Sequence, residues 1–252
     1  MTAPARKFHR RPPATTLARV STPLLLCLLT AAPPAPKDLT FELNELLGIA
    51  YVNDEVRDET GRWTFFAHPE TTAPSPGLNC SGFVVTSSRK LLGRSPSLSE
   101  ATKDRFEDSG EGAPLGHDWD FGFDLVLNLS EGLPRTALLP DKDQPVDGLD
   151  GRALRGFAID DVGAWAKVFP RIKVGQVSLV SLSRVLGKKL QHHHVAFVLR
   201  DSADRVWFYQ TLPRGHSHRL EISSDQGFAR LQKMFGHGIS VLLIAVTPQP
   251  QQ

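Results

Sequence analysis

A cysteine is the first residue of this chain whose type and position suit covalent chemistry. Cys80 stands in Asn79-Cys80-Ser81-Gly82-Phe83-Val84, after a loop rich in Pro and Gly. The apolar spacing that follows and the stop at Gly93 predict a helix over 80–92, with Cys80 at its N-terminus. Backbone N–H groups and the helix dipole favour a thiolate there and could receive an oxyanion, with Ser81 beside the thiol. The alternative is that Cys80 is a small buried apolar residue.

Three consecutive histidines offer a general base for such a thiol. His192, His193 and His194 open a predicted strand, on which His194 and His192 share one face. A nucleophilic thiol needs a base, and the base needs a partner that orients its ring. We expect His194 to be the base, with His192 as the alternative.

The next predicted strand supplies a candidate for that orienting partner. Gln210 follows the apolar run 206–209, so its amide needs a hydrogen-bond partner if it is buried. A three-residue hairpin loop over 201–203 would place Gln210 opposite His194, and a four-residue loop would shift it by one. Gln210 on an edge strand facing water is the other interpretation. His216 and His218 are alternative orienting residues.

The same histidines allow a metal site to be considered. His192 and His194, together with His216 or His218, could bind zinc. Neighbouring histidines on an extended strand point to opposite faces, and no Asp or Glu stands with them at a metal-motif spacing. We therefore expect no metal and no cofactor.

The N-terminus has the pattern of an export signal over residues 1–36. Five basic residues without an acidic one precede the apolar run 24–29, which ends in small residues and is too short to span a bilayer. Cleavage is expected after Ala32. Lipidation at Cys27 and an uncleaved membrane anchor are the alternatives, and contact with a membrane is expected only in those two cases.

Removal of the signal changes the charge and the cysteine count. The 29 basic residues fall to 24 against 27 acidic ones, a net charge of −3, so no basic surface suggests nucleic acid. Cys80 then remains as the only cysteine and cannot form an internal disulfide. The chain is expected to be exported to the periplasm or the extracellular space, and the unpaired thiol favours a nucleophile.

The periodicity of the chain predicts helices before strands, which is an α+β fold with helices on one face of an antiparallel sheet. Helices are expected at 39–50, 80–92, from Asp160 or Asp161 to Phe169, and at 225–235. In the third of these, Val162, Trp165, Ala166 and Phe169 should share the buried face. Strands are expected at 119–129, 174–185, 194–200, 206–211, 219–223 and 239–246. Loops are expected at 52–79 and 133–151, with an exposed insertion at 95–116 and a disordered tail over 248–252.

Several short segments resemble the NlpC-type papain-like cysteine peptidases of the cell wall. Residues 79–84 resemble their D-C-S-G-[LF]-V signature, and residues 194–198 resemble H-V-G-I-Y. Residues 47–51 are similar to L-G-x-P-Y, 174–177 to G-D-L-V, and 210–215 stand where the family has H-A-P-S-T-G. The nucleophile, base and orienting residue follow in the family's order.

The resemblance implies a papain-like fold over residues 37–247 and cleavage of amide bonds in peptidoglycan stem peptides. It implies catalytic roles for Cys80, His194 and Gln210, and substrate-binding roles for Tyr51 and Asn79. The chain departs from the family at Asn79, which replaces Asp, and at Gln210, which replaces His. The 114 positions from Cys80 to His194 exceed the family's gap and imply a large insertion over about 94–171.

Two other functions are compatible with the same residues. A catalytically silent relative could serve as a binding or scaffold module. The same residues could also transfer an acyl group or deamidate another amide.

Overall fold

A sheet of antiparallel strands is the central layer of the computed structural model, which describes residues 36–109, 119–146, 156–186 and 189–249. The strands are β1 Glu55–Arg57, β2 Trp63–Phe65, β3 Arg135–Leu138, β4 Gln144–Pro145, β5 Phe157–Ala158, β6 Val177–Leu186, β7 Lys189–Arg200, β8 Val206–Thr211, β9 Ser217–Glu221 and β10 Ile239–Val246. The main sheet has the order β4-β3-β10-β6-β7-β8-β9, and β5 also pairs with β10. Strands β1 and β2 form a separate hairpin.

Helices cover both faces of the main sheet. They are α1 Cys80–Leu92, α2 Leu98–Ala101, α3 Phe121–Leu129, α4 Val162–Val168 and α5 Asp225–Phe235, with 3₁₀ helices at Thr40–Leu46 and Phe169–Arg171. Alternate residues of β7 belong to two different cores. Val195 and Phe197 pack in the core that contains α1 and α3, whereas Ala196 and Val198 pack in the core that contains α4 and α5. We call these the α1 face and the α5 face.

The sequence at each end of α1 explains where this helix begins and ends. The Asn79 side chain accepts a hydrogen bond from Gly82 N–H at 2.6 Å, which satisfies one free donor of the first turn. Gly93 adopts a left-handed conformation with φ 69° and ends the helix. The aromatic ring of Phe83 stacks on Phe197 of β7 at 5.3 Å between ring centroids, which fixes α1 against the sheet.

The α+β class with an antiparallel sheet is confirmed, and so are the helices over 80–92 and 225–235 and the strand over 239–246. Other local predictions were wrong. The segment 39–50 forms only the 3₁₀ helix Thr40–Leu46, and the predicted loop 52–79 contains the β1–β2 hairpin. The segment 119–129 forms α3 instead of a strand. Eight of the nine α3 residues are buried, so its apolar pattern does not distinguish a helix from a strand.

The predicted insertion over 94–171 is part of the main architecture. It contributes α3 to the α1 face, α4 to the α5 face, and β3, β4 and β5 to the main sheet. Helices therefore lie on both faces, contrary to the prediction of one covered face. Helix α4 was predicted correctly in position, and Trp165 and Phe169 pack on the core as predicted. The predicted face was wrong at Val162, which is 61% exposed, and at Ala166, which is also exposed.

Some predictions fall on residues outside the described ranges. They include the export signal up to residue 35, residues 110–116 of the exposed segment, residues 147–151 of the predicted loop, and the tail from residue 250. The described residues cluster as one compact unit. None of the helices in the described ranges is long and apolar enough to cross a bilayer.

Candidate active site

Cys80 is the first residue of α1, as its sequence context predicts. The residue is partly exposed, its side chain packs against the core of the α1 face, and the thiol is not in a disulfide. The backbone N–H groups of Cys80 and Ser81 point towards the thiol, and Ser81 Oγ lies 3.9 Å from Sγ. The first turn of the helix therefore surrounds the sulfur with donors.

Burial nevertheless decides the charge of the thiol. Desolvation raises the pKa of Cys80, and it outweighs the hydrogen bonds from Val195 N–H, Ser81 and the helix backbone, which lower it. The helix N-terminus favours the thiolate, as expected, but in the resting protein burial outweighs this effect. The N–H groups are present, but the solvent-poor environment stabilises the neutral thiol.

The thiol lies beside the backbone of the predicted base. Val195 N–H, which bonds to the thiol, belongs to the residue that directly follows His194 on β7. In the described part of the chain no hydrogen bond joins the thiol to the imidazole. Sγ has Ser81 Oγ as its side-chain partner, and the His194 ring lies on the α5 face, 5.5 Å from the Phe235 ring between centroids. The two groups thus meet at β7 from different faces of the sheet.

His194 and Gln210 are hydrogen-bonded, as predicted, at 3.1 Å between Nε2 and Oε1. The predicted strand register was wrong, because the β7–β8 ladder pairs Arg200 with Val206 and leaves a five-residue loop. Extending that ladder sets Gln210 opposite Ala196 rather than His194, and its side chain reaches diagonally along the same face. Because an amide oxygen can only accept, His194 Nε2 carries the proton and Nδ1 is left as the basic nitrogen.

His218 continues this hydrogen-bonded chain on the other side of Gln210. Gln210 Nε2 donates to His218 Nε2 at 3.3 Å, and His218 Nδ1 donates to the His216 carbonyl at 2.9 Å. In this series of hydrogen bonds from His216 to His194, each donor meets an acceptor, so the assigned orientations are mutually consistent. His218 was predicted as an alternative to Gln210, but the structure places it behind Gln210, where it fixes the orientation of the amide.

His192 does not share a face with His194, which corrects the prediction. A β-bulge pairs Leu182 with His194 but Ser183 with His192, so the extra residue His193 turns His192 towards the α1 face. The His192 ring packs against Phe121 of α3 at 5.4 Å between centroids. Burial lowers its pKa to about 4. The bulge has no signal in the sequence.

The imidazole of His194 is itself deeply buried, with the residue 4% exposed. Burial lowers its pKa to about 3, and the neighbouring histidines add to this effect, whereas the bond to Gln210 raises the pKa. The thiol and the imidazole are therefore both neutral at pH 7. The resting site is not a thiolate–imidazolium ion pair.

Tyr51 reaches the same region from the N-terminal segment. Residues 48–51 run alongside 215–217, with Tyr51 N–H donating to the Gly215 carbonyl at 2.9 Å. Burial raises the pKa of the Tyr51 hydroxyl, and the nearby Cys80 thiol raises it further. Asn79 also lies at the site, although its oxygen is already used as the cap of α1. The structure thus gathers Tyr51, Asn79, Ser81 and Cys80 around one helix end.

The predicted zinc alternative finds no support in the arrangement of the described residues. They contain no group of three His, Cys, Asp or Glu side chains that could hold a metal ion. His192 and His194 point to opposite faces of the sheet, which removes the pair on which a zinc site would depend.

No family model matches the chain, and no curated protein or solved structure is significantly similar to it.

Proposed function

We propose that this chain is an exported cysteine hydrolase with a papain-like fold that cleaves amide bonds in peptidoglycan stem peptides. The observation that supports this most strongly is the His194–Gln210 hydrogen bond, which leaves Nδ1 of His194 as the basic nitrogen. His194 directly precedes Val195, whose N–H bonds to the Cys80 thiol. A thiol at a helix N-terminus, a base and an orienting amide are the groups that acyl transfer needs. Tyr51 and Asn79 would contact the substrate.

The proposed reaction begins with a neutral pair. His194 Nδ1 accepts the thiol proton as Sγ attacks the amide carbonyl, and the Cys80 backbone N–H binds the developing oxyanion. The His194 proton then passes to the leaving amine, which departs and leaves a thioester at Cys80. Water, deprotonated by Nδ1, hydrolyses the thioester and restores the thiol. General acid–base help of this kind contributes about 10²–10⁴-fold, and one oxyanion donor about 2.7–4 kcal/mol.

This sequence of steps requires Nδ1 and Sγ to come into contact, which the resting geometry does not provide. Catalytic hydrogen bonds are often long or absent without substrate and tighten in the complex. Because the thiol and the imidazole lie on different faces of the sheet, this contact would require β7 to rearrange at residues 194–195 when substrate binds at Tyr51 and at the N-terminus of α1. The N–H groups at the start of α1 would then stabilise the negative charge that develops on the carbonyl oxygen.

Incubation of the full-length protein with defined muropeptides, followed by mass analysis of the products, tests the proposal. We expect the parent chain to release a free amine and a free acid, with no product from Cys80→Ala. His194→Ala should lose about 10²–10⁴-fold in rate, and Gln210→Ala should lose less. His193→Ala is the matched control, because His193 is a histidine of the same strand and has no hydrogen bond to Gln210 in the described structure. Equal losses in His193→Ala and His194→Ala would refute the assigned base.

A catalytically silent binding module is the second candidate, and the neutral, separately bonded thiol and imidazole favour it. It predicts saturable binding of muropeptides with no covalent change. A third possibility, acyl transfer or deamidation, predicts a transferred acyl group or the loss of an amide nitrogen instead of backbone cleavage. The same mass analysis separates all three.

A further inference from the structure

A groove of about 990 Å³ opens beside the C-terminal end of α1. Leu91, which lines it, is eleven residues from Cys80, so the two lie about 16 Å apart along the helix. This volume lies within the usual range for small-molecule sites. The groove is therefore a separate candidate site, at the opposite end of α1 from the thiol.

Hydrogen bonds hold the two chain segments that form the walls of the groove. Asp38 Oδ2 accepts from Ser202 N–H at 2.8 Å, which ties the N-terminal segment to the β7–β8 turn. Gln249 N–H donates to the Leu92 carbonyl at 3.3 Å, which ties the segment after β10 to the end of α1. The groove is thus formed before any ligand binds.

The lining combines an apolar floor with a positive rim. Its accessible apolar surface comes from Val174 and from the prolines Pro36, Pro170 and Pro248, which lie over the nearly buried side chains of Leu39, Leu91 and Ile172. Its charged side chains are Lys37, Lys173, Arg200 and Asp204. Three basic residues against one acidic residue give the lining a net charge of +2.

The four charged groups differ in whether they already have an ion-pair partner. The single carboxylate, Asp204, is paired with Arg200. Lys37 is paired with Glu42 at 2.6 Å. Lys173 is exposed and has no ion-pair partner among the described residues. An anionic ligand would therefore form its ion pair with the ammonium group of Lys173.

We propose that this groove binds a medium-chain fatty carboxylate, with the alkyl chain against the apolar floor and the carboxylate at Lys173. An alkyl chain gains about fourfold in affinity for each methylene group removed from water. A carboxylate gains a further few-fold from an exposed ammonium group. A neutral alcohol of equal length gains only the first of these.

Calorimetric titration of the full-length protein with decanoate, dodecanoate and nonanol, whose alkyl chain matches that of decanoate, tests this assignment. We expect saturable binding, with dodecanoate up to about fifteenfold tighter than decanoate because of its two extra methylene groups. Nonanol should bind a few-fold more weakly than decanoate. Absence of saturable binding, or equal affinity for nonanol and decanoate, would overturn the proposal.

Three variants locate the binding. Val174→Asp places a charge against the alkyl chain and should weaken binding at least about tenfold. Lys173→Glu should weaken it about threefold to tenfold, and the loss should shrink at high salt. Lys233→Glu, an equal charge reversal on an exposed face of α5, is the matched control and should leave binding unchanged. If Lys233→Glu weakens binding as much as Lys173→Glu, or if folded Val174→Asp binds normally, the ligand does not occupy this groove.

Discussion

The charge of the Cys80 thiol gives the sharpest test of how the site works at rest. Burial raises its pKa above the reference value of 9.0, even though backbone N–H groups surround it. At pH 6 fewer than about one thiol in a thousand is then ionised, since each pH unit below the pKa lowers the thiolate fraction tenfold. A thiolate–imidazolium pair would instead be largely ionised at this pH.

Alkylation by iodoacetamide as a function of pH measures this fraction. In a Cys27→Ser chain only Cys80 can react, and its second-order rate should rise about tenfold per pH unit, or about a thousandfold from pH 6 to pH 9. His194→Ala should leave this profile almost unchanged, because the resting imidazole does not hold the thiol proton. A rate plateau between pH 5 and pH 7 that disappears in His194→Ala would refute the neutral pair.

Three further predictions concern stability. Burial lowers the pKa of His192 to about 4 and that of His194 to about 3, whereas it raises the pKa of Asp124 to about 7. The contribution of the two histidines to stability is present above pH 6.5 and is lost as the pH falls through their folded pKa values. The contribution of Asp124 is present below pH 3.8 and is lost as the pH rises through 7. Between pH 6 and pH 4 unfolding therefore takes up about one proton in total. The free energy of unfolding should fall by up to about 1.4 kcal/mol for each pH unit of acidification in this range. Urea titrations that show no such slope would contradict the burial of both rings. Gly82→Ala should destabilise the protein by about 1–3 kcal/mol, because its Cβ would lie 2.1 Å from a backbone oxygen of β1, and unchanged stability would mean that α1 packs less closely there. Asn79→Ala should cost about 0.5–2 kcal/mol through loss of the helix cap, while Asn79→Asp should keep the cap, and equal thermal stability of the two variants would argue against it.

The sequence predicts the position of Cys80 and the His194–Gln210 hydrogen bond, but not that the thiol and the imidazole lie on different faces of the sheet. A cysteine after a Pro- and Gly-rich loop and before a glycine stop places the thiol at the start of α1, and turn residues after Arg200 place β7 beside β8. These are local signals. The His194–Gln210 bond then follows because both side chains project from the same face of neighbouring strands.

The missed features depend on contacts between distant parts of the chain. Helix α3 is apolar on nearly every side because it is buried, so its pattern has no helical period. The bulge that turns His192 away from His194 arises from the pairing of β6 with β7, which no residue type marks. The raised pKa of Cys80 is likewise a result of tertiary burial that the helix N-terminus alone does not reveal.

The most direct test of the proposed hydrolase is the mass of the peptide that contains Cys80 after rapid acid quenching of a muropeptide reaction. The account predicts an added acyl group on Cys80 that hydroxylamine removes, together with released amine. It would be contradicted by product that forms without any adduct at Cys80, or by a folded protein that yields neither adduct nor product.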